Sequence, residues 1–106
     1  MYPPYVRLAN VVFSGTVEAS VAKVADAGAE WIRALIVNRA LGGLTVIGPA
    51  PCPIERIKNR WRWHVLVKSE SVGELTRVGR FFMERFDVPS DSELRVTLDR
   101  DPVALL

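Results

Sequence analysis

From Trp61 to Lys68 the side chains alternate without a break. Trp61, Trp63, Val65 and Val67 fall on one side of an extended chain, and Arg62, His64, Leu66 and Lys68 on the other. Successive strand residues point to opposite faces, so this segment is a β-strand with one apolar and one polar face. A sheet of such strands needs a cover over one face and leaves the second wet.

The rest of the chain supplies that cover. Residues 5–13 are rich in Val, Phe and Tyr and read as a strand that Ser14-Gly15 breaks. From Thr16, expected as an N-cap, apolar residues recur at Val21, Val24, Gly28, Trp31 or Ile32, and Leu35; this is helix spacing, closed by Gly42-Gly43. Residues 44–48 form a short strand. Pro49-Ala50-Pro51-Cys52-Pro53 is expected to be a loop, since proline lacks a ladder donor. Ser71-Val72-Gly73-Glu74 is an S-x-x-E capping box that opens a second helix with Leu75, Val78, Phe82 and Phe86 as its stripe. Residues 88–91 form a turn and 94–98 a last strand. The order β-α-β-β-α-β predicts an α+β, ferredoxin-like fold with both helices on one face of a four-stranded sheet. Residues 1–106 are read as one domain, with Val21, Val24, Ile32, Leu35, Val65, Val67, Leu75 and Phe82 buried.

Several chemistries are excluded or weakened. A single cysteine, Cys52, forbids an internal disulfide and a cysteine metal cage, and a single histidine, His64, weakens a histidine site. No apolar run approaches the ~20 residues that span a bilayer. The N-terminus lacks a signal-peptide pattern, so a soluble, cytoplasmic domain is expected. No phosphate-binding loop, dinucleotide fingerprint or nucleophile elbow occurs. Asp99 and Asp101 share a strand face and read either as a cation or acid–base pair or as a solvated strand end. Cys52 would need His64 as its base to act as a nucleophile; between two prolines it reads as inert.

Charge is the more informative signal. The whole chain carries a net +2, yet residues 54–68 alone carry +4, from Arg56, Lys58, Arg60, Arg62 and Lys68 against Glu55. Arg56, Lys58, Arg60 and Arg62 occupy every second position, so an extended segment would project them to one side, as tracking a phosphate backbone requires. Trp61 and Trp63 interleave with them, either as stacking partners for single strands or as core residues. The row itself reads as a polyanion site or as a solvated edge that blocks aggregation. Arg77 and Arg80 on the second helix read either as widening it or, with Glu74 and Glu84 nearby, as ordinary helix salt bridges.

Four segments carry a family resemblance. Tyr2-Pro3-Pro4-Tyr5 with Arg7-Leu8-Ala9, Gly48-Pro49-Ala50-Pro51-Cys52-Pro53-Ile54, Asn59-Arg60-Trp61-Arg62-Trp63-His64 and Leu98-Asp99-Arg100-Asp101-Pro102 resemble, in order, motifs in the C-terminal domain of the primosomal replication-restart helicases (primosomal protein N′). The chain departs from them at Asn59 (Gly in the family pattern), His64 (Gln) and Arg100 (a small apolar residue). The second helix starts Val72-Gly73-Glu74, where the family can offer a basic residue. The resemblance implies a fold like a small-subunit ribosomal protein and a non-catalytic DNA-binding module of a bacterial-type helicase that reassembles the primosome at abandoned forks. It implies no cofactor in this chain, since ATP, magnesium and zinc belong to upstream domains. Partners would be forked or single-stranded DNA, the helicase lobes and the single-stranded-DNA-binding protein, with no membrane. DNA would meet Arg56, Lys58, Arg60, Arg62, His64 and Lys68, with Trp61 stacking. Two alternatives stand beside this: an interdomain scaffold docked on the helicase lobes through the stiff proline segment, and a ribosomal-type RNA-binding role.

Overall fold

A computed structural model describes residues 6–101, with side chains for residues 6–99. The order is β1 (Arg7–Gly15), α1 (Glu18–Asn38), β2 (Leu44–Ile57), β3 (Arg60–Ser69), α2 (Val72–Arg85) and β4 (Arg95–Asp101). The strands form one four-stranded antiparallel sheet in the order β2-β3-β1-β4, the expected α+β arrangement. The Tyr2–Tyr5 motif, Pro102 and the Arg100 and Asp101 side chains lie outside the described residues.

Both helices cover the face that carries Ala9, Val11, Phe13, Val65 and Val67, and the buried cluster joins these to Val21, Val24, Ile32, Leu75, Val78 and Phe82. Of the eight expected core residues only Leu35 is partly exposed; it packs against the cluster's edge. Aromatic rings fill the space between the helices. Phe82 stacks on Phe86 at 4.8 Å between centroids, and Phe13 and Trp31 meet Phe82 edge-on at 6.3 and 5.4 Å.

The ends of the elements show where local signals give way to tertiary contacts. Strand β1 runs through Ser14-Gly15 instead of breaking there. Val17, not Thr16, is the N-cap of α1, without a side-chain bond. Thr16 instead donates through its backbone N–H (2.9 Å) and its hydroxyl (3.0 Å) to the carbonyl of Ser92, which ties the β1–α1 turn to the chain entering β4. Helix α1 ends at Asn38, ahead of Gly42-Gly43. Ala40 adopts φ 55°, and the Leu41 N–H reaches the Ile36 carbonyl at 2.9 Å, so the helix closes in a Schellman motif with alanine in the usual glycine place. In α2 the expected cap is present: the Ser71 hydroxyl accepts from the Glu74 N–H at 3.1 Å.

The proline segment differs from expectation. Residues 49–53 lie within β2 rather than in a loop. Two features make this possible. Among the described residues β2 is an edge strand paired only with β3, so a missing N–H need not break a ladder on its outer side. The register also slips between Ile47 and Ala50 and again between Pro51 and Arg56, so the prolines fall at or beside irregularities. Gly48 makes the first slip: its φ is +103°, and a Cβ there would sit 3.1 Å from the His64 carbonyl oxygen. The Gly48 carbonyl accepts a 2.7 Å bond from Arg33 Nη2, which fixes the bulge to α1.

Gly28 sets the spacing of α1 over the sheet, because a Cβ there would lie 2.6 Å from the Phe13 ring. Gly28→Ala is therefore expected to destabilise the fold by about 1–3 kcal/mol, the usual range for overpacking, read by urea unfolding. Ala40→Gly should stabilise it by about 1 kcal/mol in the same assay, by relieving the left-handed alanine.

Candidate nucleic-acid interface

Strand register sorts the basic row onto different surfaces. Lys58 and Asn59 have φ of 51° and 64°, and Ile57 pairs with Arg60, so the two form the turn of a two-residue hairpin with both central residues left-handed. Arg56, Lys58, Arg60 and Arg62 therefore do not project from one extended segment, which corrects the sequence expectation. Arg56 lies opposite Trp61, on the helix-bearing face. Its guanidinium covers the Trp61 ring at 5.0 Å and donates to Asn59 Oδ1 at 3.2 Å.

Trp61 and Trp63 point to the same side as Val65 and Val67 and pack against the core, so neither shares a face with Arg60 and Arg62. Trp63 Nε1 is buried with no hydrogen-bond partner among the described residues. Arg77 and Arg80 line a groove between the helices with Arg39 and Phe81, in the opposite layer from the open face.

The helix-free face collects Arg60, Arg62, His64, Leu66 and Lys68 from β3. Leu8, Asn10, Val12 and Ser14 stand beside them on β1, and Arg95, Thr97 and Asp99 on β4. A shallow groove of about 530 Å³ runs across this face, with Lys58, Arg60 and Arg62 on one side, Val12 and Ser14 in the middle and Asp99 opposite. Lys58 thus rejoins the row from the hairpin turn. Arg95 belongs to the same face; the alternation around Val96 was its only sequence signal, and pairing with Ser14 is what brings it here.

The cations on this face are not equivalent. Arg60 is committed internally: its Nη2 donates to the Glu93 carbonyl at 2.6 Å and to Ser14 Oγ at 3.1 Å, and Nη1 lies 3.6 Å from Glu93 Oε1. Only 19% of its side chain is exposed. Arg62 spends one N–H on the Ile54 carbonyl at 3.1 Å, holding the slipped part of β2. Lys58 and Lys68 have no ion-pair partner among the described residues.

His64 Nδ1 lies 3.0 Å from Asn10 Oδ1, a partner that only the folded sheet supplies. Burial, and then the neighbouring Arg62 charge, lower its pKa below the ordinary 6.5. Burial pushes the Cys52 thiol up, only partly offset by Arg62, so Cys52 stays protonated and lacks the lowered pKa of a nucleophile. Asp99 is exposed. Among the described residues no three His, Cys, Asp or Glu side chains are placed to hold a metal ion. No described helix is long and apolar enough to cross a membrane.

Fold and site define a ferredoxin-like α+β domain whose uncovered sheet face is predominantly cationic. The chain belongs to the family described as the primosomal protein N C-terminal domain, matched over residues 1–103. It is 32% identical over 104 residues to the replication restart protein PriA of Synechocystis sp., covering 98% of this chain. To the replication restart protein PriA of Bacillus subtilis it is 26% identical over 106 residues, covering 99%. The chain spans 12% and 13% of those two proteins. Among solved structures, a hydantoinase/carbamoylase family amidase from Burkholderia ambifaria aligns with a TM-score of 0.55 at 15% identity, over 94% of this chain and 28% of that one; the likeness is one of fold.

Arg60→Ala is expected to lower stability by about 2 kcal/mol, the scale of hydrogen bonds to a charged group, whereas Lys58→Ala should change it by less than ~0.5 kcal/mol. Thermal unfolding of both variants checks the division between a structural and a free cation.

Proposed function

We propose that this chain is a DNA-binding, non-catalytic module of a replication-restart protein, and that it grips the phosphate backbone with the open face of its sheet. Family membership supports the replication-restart role. The observation that carries the DNA-binding part is the gathering of Lys58, Arg62, His64, Lys68 and Arg95 on one uncovered face, with two lysines unpaired among the described residues.

Phosphate oxygens take charge-assisted bonds from these groups, and counterion release supplies affinity without base readout. Arg60 orders the face from beneath. Arg56 and Trp61, on the other side, serve the hairpin. With no aromatic side chain among the described residues that line the groove, binding follows the backbone and does not rest on stacked bases. In this reading the parent is an ATP-dependent 3′-5′ DNA helicase acting in the cytoplasm at stalled or abandoned forks, with magnesium–ATP and zinc held in other domains. The single-stranded-DNA-binding protein is a further partner.

A second reading has its own observation. Ile47, Ile54 and Ile57 are 45%, 62% and 40% exposed along β2, next to the exposed Pro51 and Pro53. Such an apolar edge suits an interdomain scaffold that docks on the helicase lobes.

Anisotropy titrations with forked and single-stranded DNA across a salt series separate the readings. The DNA-binding reading expects a log–log slope of about −3, from roughly four contacts at ~0.7–0.9 each, reduced by about half in Lys58→Glu/Lys68→Glu. A flat slope, or no binding at low salt, favours the scaffold. Stronger competition by structured RNA than by forked DNA would assign the face to RNA.

A further inference from the structure

We propose that the open face takes up a proton at His64 as it engages a phosphate backbone, so that its grip on DNA tightens in mildly acidic solution. This deepens the DNA-binding reading and rests on it.

With Asn10 Oδ1 as acceptor, the 3.0 Å contact places the proton of the neutral ring on Nδ1. The second nitrogen, Nε2, then carries a lone pair and has no hydrogen-bond partner among the described residues. A lone pair repels an anionic oxygen. Only the imidazolium, with N–H on both nitrogens, donates to phosphate while keeping its bond to Asn10.

The surroundings decide which form each state prefers. Along β3 the ring is flanked by Leu66 and by Arg62, with Lys68 further on; β1 contributes Val12 directly opposite, with the neutral Asn10 and Ser14 on either side. From β2 come Ile47 and Ala50, with the thiol of Cys52, kept protonated by burial. Thr97 of β4 lies in the same row beyond Val12, and among the described residues of β4 the carboxylate on this face is Asp99, one row along beyond Asn10. Without ligand, burial and then the Arg62 charge disfavour the imidazolium. A bound phosphate reverses that balance: it neutralises Arg62 and offers the protonated ring an acceptor. The imidazolium is therefore favoured in the complex and disfavoured in the free chain.

If the complex holds a proton that the free chain lacks, affinity rises as pH falls through the interval between the two His64 pKa values. Each pH unit by which DNA raises that pKa adds up to about tenfold in affinity.

The test uses the chain with rhodamine-labelled forked DNA at fixed ionic strength, from about pH 8 to about pH 5.5, the range in which histidine titrates. Wild type should gain roughly tenfold in affinity. His64→Gln, whose amide can still donate to Asn10 but cannot ionise, should stay flat. Because His64 is the only histidine in the sequence, its imidazole proton resonance reports directly; its titration midpoint should move up when DNA is added. DNA binding with the same pH dependence in both proteins, or with an unmoved midpoint, overturns the proton linkage alone. Absence of DNA binding at every pH overturns the DNA-binding reading and the linkage with it.

Discussion

The contact between the Phe13 ring and the backbone of Gly28 governs the arrangement of the two layers. Phe13 has no exposed surface, and its ring occupies the space that a Cβ on residue 28 would need. Helix α1 therefore approaches β1 closely, and the same ring meets Phe82 and Phe86 edge-on, so one side chain links the sheet to both helices. A sheet covered so closely on one face concentrates its apolar side chains there. Its other face is free to carry charge, because solvated cations pay no desolvation penalty.

That division explains why the arginines near the hairpin have separate tasks. The Lys58-Asn59 turn reverses the chain after Ile57, so a row evenly spaced in sequence is divided between faces. Arg56 shields Trp61 on the helix side, Arg60 joins β3 to Ser14 and to the chain entering β4, and Arg62 holds the slipped edge of β2. The lysines at each end of the row remain free of ion pairs among the described residues. A surface of this kind is ordered from within by some of its charges and presents others. The relative exposure of Arg60 and Lys58 shows which is which.

Strand β2 couples the candidate site to the helical layer. Arg33 of α1 holds the carbonyl of Gly48, and Gly48 lies against the His64 backbone. The irregular edge is thus positioned from α1 on one side and by Arg62 on the other. His64 sits between these supports, and its hydrogen bond to Asn10 spans the central strands β3 and β1.

By itself the sequence determined the element order, the covered face and most of the core. Those follow from period-2 alternation at residues 61–68, helical spacing from Val21 to Leu35, and the Ser71 cap, all of which act between near neighbours in the chain. The resemblance carried by the Gly48–Ile54 and Asn59–His64 motifs also made the family legible. Only the tertiary structure decided that Pro49 to Pro53 belong to an edge strand, that Thr16 binds Ser92, and that Arg95 joins the cationic face. It also decided that Arg56 and Trp61 leave that face. The physical reason is common to all of them: each depends on which strand lies alongside and in what register. A one-residue shift in pairing exchanges the two faces, and that pairing is set by contacts between residues far apart in the chain.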